Sequence, residues 1–147
     1  MDPALDQPLS LETAQHIQSK AKKPFDNAYR AALTIEGATY VQGFAVLGGS
    51  SQPIEHAWIE LEGRIVDPSL PHLQKQSTAI YYFPAQRLTV ATLKAAIEEA
   101  QEDYPEDEPL PIYGAAPYEY YGDVMLGGKD YLNAYQAATA HSQTENS

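Results

Sequence analysis

The chain has 147 residues, the size of one domain with room for a buried core, so a single domain spanning 1–147 is expected, packed over about 10–140. Its 20 acidic and 9 basic residues give a net charge of −11, which argues against direct contact with nucleic acid phosphates. That charge leaves a basic protein or a small ligand as the expected partner, unless it serves solubility alone. The absence of cysteine excludes disulfides, thiolate metal sites and a thiol nucleophile.

The opening "MDPALDQPLS" is polar and lacks a basic, apolar leader, and no apolar run reaches the roughly 18 residues of a membrane span. A cytoplasmic protein without membrane contact is therefore expected. A first helix is expected from Ser10 to Ala21, with Leu11, Ala14, Ile17 and Ala21 on one side. A second helix is expected over 24–35. Pro24 suits its first position, Phe25, Ala28, Tyr29, Ala32 and Leu33 form its stripe, and Gly37 ends it.

"TYVQGFAVLGG" then reads as a strand in which Gly43 marks a bulge or a close backbone approach. "IEHAWIELEGRIVD" reads as a hairpin turning at Glu62-Gly63, where glycine tolerates the positive φ of a two-residue primed turn. A short strand, "AIYYFP", follows, and after it a third helix capped by Thr89 with Val90, Leu93, Ala96, Ile97 and Ala100 inward. Beyond an acidic, proline-punctuated loop come a strand "PIYG", a loop "YEYYGDVMLGG", a helix "KDYLNAYQAATA" and a disordered tail "HSQTENS". This order predicts an α+β domain with a mostly antiparallel sheet packed on helices.

The hairpin carries the candidate chemistry. With an even turn, Leu61 opposes Arg64, Ile59 opposes Val66 and Trp58 opposes Asp67, so His56, Trp58, Glu60, Ile65 and Asp67 share a face. His56 and Asp67 are then diagonal neighbours, about 7 Å apart by backbone. A carboxylate at that distance can fix one imidazole tautomer and leave the other nitrogen free as a base. The same pair also suits a buried histidine whose ring N–H is simply satisfied.

The ordered string His56-Ala57-Trp58, Glu60, the glycine turn, and Val66-Asp67-Pro68 resembles the histidine and aspartate strands of the transglutaminase-like superfamily, within the papain-like cysteine hydrolases. Over about residues 22–84, "FDNAYRAAL", "TYVQGFAV", "PIEHAWIELEGRIVDPSL" and "YYFP" are similar to small bacterial and phage proteins of that kind. The resemblance implies a papain-like or transglutaminase-like fold, with His56 as the base and Asp67 as its orienting acid. It also implies a nucleophilic cysteine at the start of the helix before the sheet, where the helix dipole and imidazole favour thiolate. The corresponding position here is Pro24, which offers no nucleophile, so His56 and Asp67 become vestigial.

A non-catalytic relative is therefore expected, with a cleft lined by Asn27, Trp58 and Glu60 that serves binding. Two alternatives stand beside it: an acidic, phage-associated inhibitor of a basic or nucleic-acid-binding protein, and a divergent hydrolase using a serine such as Ser50, Ser51, Ser69 or Ser77. No cofactor or metal is expected, since His16, His56, His72 and His141 lack paired spacing, although Asp67 with His72 retains the ligand types for a metal. The tyrosine-rich "PYEYYGD" reads either as an aromatic contact surface or as a cover for the sheet.

Overall fold

The computed structural model describes residues 4–49, 52–75, 79–106, 119–121, 124–126 and 129–145. Strand β1 (Ala4–Leu5) leads into helix α1 (Gln7–Ile17). The helix begins at Asp6 rather than Ser10, because the Asp6 side chain accepts from the Leu9 amide at 3.0 Å and Pro8 fits the first turn. Gln18 in the left-handed region ends it, so Ala21 lies beyond.

Helix α2 (Pro24–Thr34) follows the expected span, and Ala28, Ala31 and Ala32 are its buried face. Leu33, expected inward, is exposed, because alanines alone let this helix seat closely on the sheet. Strand β2 (Thr39–Leu47) is buried along almost its whole length. Strands β3 (Ile54–Leu61) and β4 (Arg64–Val66) form the hairpin, with Ile59↔Val66, Glu60↔Ile65 and Leu61↔Arg64 in register. Glu62 and Gly63 have φ of 51° and 77°, the two positive values that a type I′ turn requires.

A single helical turn, α3 (Leu70–Leu73), precedes β5 (Ile80–Leu88), which runs past Pro84 to a greater length than "AIYYFP" suggested. Proline is tolerated there because β5 ends the sheet. Helix α4 (Val90–Asp103) starts at Thr89, whose hydroxyl accepts from Thr92 N at 3.1 Å. Residues expected to form a loop instead contain the short hairpin β6 (Glu119–Tyr121) and β7 (Val124–Leu126). Helix α5 (Lys129–Glu145) continues through 141–145, where a disordered tail was expected. The "PIYG" strand expectation at 111–114 lies outside the described residues.

The larger sheet has the order β1-β4-β3-β2-β5 and is antiparallel except for β1 beside β4. Alternation sends Tyr40, Ala57, Ile59 and Val66 toward α2 and α4, while Phe44 and Val46 meet Ala134 and Ala138 of α5. The opposite face carries a separate cluster of Val41, Trp58 and Ile65, with Leu5 and Tyr82 against it. The chain is thus an α+β fold whose helices cover one face of the sheet at the positions that alternate with His56 and Trp58. No helix among the described residues is long and apolar enough to cross a membrane.

Candidate functional site

His56 on β3 and Asp67 just past β4 meet as the hairpin register requires, with Nε2 and Oδ2 2.8 Å apart. Both are removed from solvent, at 1% and 0% exposure. The carboxylate is engaged on both oxygens. Its Oδ2 also accepts the Tyr82 hydroxyl at 2.8 Å, and its Oδ1 accepts the Ser69 amide at 2.9 Å. Asp67's own amide donates to Ser10 Oγ at 2.9 Å.

The network continues through Ser69, whose hydroxyl accepts from Asn27 Nδ2 at 3.0 Å. Asn27 in turn grips the Lys20 backbone through both side-chain atoms, at 3.0 and 2.8 Å. Helices α1 and α2 and strands β3 and β5 are therefore tied to Asp67, directly or through Ser69, and Asn27, expected on a cleft, acts as a cross-brace between α2 and Ser69. Because a carboxylate only accepts, the imidazole donates from Nε2, which leaves Nδ1 as its second ring nitrogen. That Nδ1 has no hydrogen-bond partner.

Trp58 lies beside the pair, stacked on His56 with ring centroids 6.0 Å apart and edge-on to Tyr82 at 5.0 Å. Its indole Nε1, equally buried, is also without a partner. Tyr82 is pushed well above the ordinary tyrosine pKa, first by burial, then by the Asp67 charge and hydrogen bond. Since the unfolded chain ionises this phenol near pH 10 and the folded chain does not, the unfolded state binds fewer protons above that pH. Stability should then fall as pH rises past about 10, by about 1.4 kcal/mol per pH unit from this residue. Urea unfolding from pH 9 to 11 checks this: Tyr82→Phe should be flatter than the parent, and equal slopes would contradict it.

Beside this cluster lies a cavity of about 530 Å³. Trp58, Glu60, Ile65, Tyr82, Pro84 and Arg87 line it, so two of the three residues expected on a cleft are there. Glu60 and Arg87 clasp each other through two bonds, at 2.8 and 3.0 Å, and the Glu60 hydrogen bond raises the Arg87 pKa first, its charge adding to that against a lowering by burial.

Pro24, the position matched to the lost nucleophile, stands elsewhere. It lines a cavity of about 660 Å³ with Lys23, Phe25, Tyr29, Lys94 and Ile97, between α2 and α4. Those helices pack on the face occupied by Ala57 and Ile59, whereas alternation turns His56 to the other. The structure therefore ties Asn27 of α2 through Ser69 to the His56–Asp67 pair beside Trp58, while Pro24, one turn earlier on the same helix, lines a different cavity.

Of the serines weighed as nucleophiles, Ser50, Ser51 and Ser77 lie outside the described residues, and Ser69 is 4% exposed and committed to Asn27. The Asp67–His72 metal pairing does not form, because His72 Nε2 is held by Ser19 Oγ and O at 3.0 and 3.1 Å. His72 is thereby a tie between α3 and the segment after α1, not a free loop side chain. Ser10 and Tyr82 are network members the sequence reading missed; only the alternation along "IYYF" hinted at Tyr82, and nothing pointed to Ser10. Comparison with known proteins gives no matching family model, curated protein or solved structure.

Proposed function

We propose that this chain is a non-catalytic relative of the transglutaminase-like hydrolases that acts by binding, with the cleft beside Trp58 as its recognition site. The observation that carries this reading is the burial of the pair: three donors converge on Asp67 behind a histidine only 1% exposed. A catalytic imidazole must reach substrate and nucleophile within hydrogen-bond distance. This one is walled in by Trp58 and Tyr82 and serves as internal bracing. The papain-like ancestry rests on the sequence resemblance over about residues 22–84.

Incubation with amide and thioester substrates tests the reading. No turnover above buffer is expected, and turnover that His56→Ala abolishes would overturn it. Pro24→Cys should also stay inactive, since His56 does not line the cavity that holds position 24; hydrolysis gained on this substitution would contradict the separation of the two sites.

A second reading is favoured by α4, whose exposed Glu98, Glu99, Glu102 and Asp103 continue to exposed Glu106. This acidic strip suits an inhibitor that masks a basic, nucleic-acid-binding partner. Binding to a basic protein such as a histone should then weaken steeply with salt and with Glu102→Gln and Glu106→Gln, and survive His56→Ala. Salt-independent binding would remove this reading.

A further inference from the structure

A site of a different character lies between α2 and α4, where the charge of the chain is locally reversed. Three of its nine basic residues, Lys22, Lys23 and Lys94, line the cavity of about 660 Å³ there. All three are exposed, and none of their ammonium groups forms an ion pair among the described residues. Asp26 and Glu98 line it too, equally unpaired, so cations outnumber anions around this cavity in a protein of net charge −11. Pro24, Phe25 and Tyr29 are only half-buried, and with Ile97 they give the cavity apolar surface within a ligand's reach.

Both sides of this cavity are built to a fixed shape. On α4, Lys94, Ile97, Glu98 and Gln101 stand at i, i+3, i+4 and i+7, a single stripe of the helix. On the other side, the buried Asn27 side chain holds both backbone groups of Lys20, at 3.0 and 2.8 Å, and the Asn27 amide donates to the Lys23 carbonyl at 2.9 Å. The turn that carries Lys22 and Lys23 is thereby anchored at both ends. Within it Lys22 has a φ of 61°, in the left-handed region that costs a lysine more than a glycine or an asparagine. The turn's conformation does not call for lysine there, whereas an anion at the cavity does.

The geometry points to a second binding site here, for a small organic anion whose apolar body lies against Phe25, Tyr29 and Ile97 while the lysines hold its one carboxylate or phosphate group. The volume is that of an ordinary small-molecule site. Asp26 and Glu98 oppose a second negative group, which disfavours a polyanion. Phenylacetate, benzyl phosphate, benzyl alcohol, benzylammonium and inorganic phosphate, titrated by calorimetry against the intact protein, test this. The two aromatic anions should bind saturably, the alcohol about tenfold more weakly, and benzylammonium and inorganic phosphate more weakly still. Rising salt should erode the anions' advantage and leave the alcohol unaffected. Whichever aromatic anion binds more tightly identifies the head group.

Lys94→Gln and Lys22→Asn should each weaken the aromatic anions about threefold and leave the alcohol unchanged. Lys22→Asn should do so with a urea midpoint at or above the parent's, since asparagine suits the left-handed conformation. The chain has one tryptophan, on the other face of the sheet, so its indole N–H resonance should stay in place during these titrations. Alcohol or ammonium binding as tightly as the anions, or saturable binding by none of the set, overturns the proposal. So does inorganic phosphate matching benzyl phosphate, which would leave a lysine patch without a use for the apolar wall. Binding that shifts the Trp58 resonance and ignores Lys94→Gln would move the ligand to the other cavity. Self-association that Lys94→Gln abolishes would give the lysines to the acidic strip of a second copy, and would equally contradict a small-molecule site.

Discussion

Asp67→Ala should lower the unfolding free energy by about 3–5 kcal/mol, since each buried donor left without an acceptor costs about 1–3 kcal/mol. The substitution strands three buried donors at once: His56 Nε2–H, the Tyr82 hydroxyl and the Ser69 amide. It also frees Ser69, the residue that Asn27 holds, whereas the backbone amide of position 67 keeps its bond to Ser10. Asp67→Asn retains one accepting oxygen and should lose less, about 1–3 kcal/mol. His56→Ala should likewise cost less than Asp67→Ala, because the carboxylate keeps two of its three donors. Urea midpoints of the three variants give this order, and an Asp67→Ala protein as stable as the parent would show that the network carries no stability.

Gly43→Ala should be comparably severe, at about 3 kcal/mol or beyond, at the upper end of overpacking costs. A Cβ at position 43 would meet the Phe83 carbonyl oxygen, then Ala85 N at 2.8 Å and Pro84 Cα at 3.0 Å. All three atoms are backbone of β5, so no rotamer change relieves the collision. The register shift between Gln42 and Gly43 brings the two chains this close. Gly63→Ala is the matched control: nothing lies within 4 Å of its Cβ, and only the φ of 77° opposes a side chain, at about 1–2 kcal/mol. Equal urea midpoints for the two variants would contradict a spatial constraint at Gly43, whose φ lies outside the left-handed region.

The hairpin was legible because its information is local. A period of two, a Glu62-Gly63 turn and an even loop determine which side chains share a face, and Ile59↔Val66 with His56 against Asp67 follows. The Pro24 helix was legible for the same reason, down to its first residue. Its side of the sheet was not, since that depends on Ala28, Ala31 and Ala32 docking against Ala57 and Ile59, a long-range choice no local pattern encodes.

Ser10 illustrates the same limit. As a residue it looks like a helix cap, yet the cap is Asp6, and Ser10 reaches Asp67, 57 positions away in sequence. The extension of α5 to Glu145 escaped notice because polar residues after 140 carry little helical stripe. The occupancy of Asp67 by Tyr82 and the Ser69 amide, on which the site's interpretation turns, needed β5 placed beside β2 before it could be seen.

Acylation of the histidines by diethyl pyrocarbonate, mapped by mass spectrometry on the native protein, tests most directly whether His56 is internal bracing. The account predicts that exposed His16 reacts readily while His56 stays unmodified until urea unfolds the chain. Modification of native His56 at the rate of His16 would mean an accessible, reactive imidazole, and would contradict it.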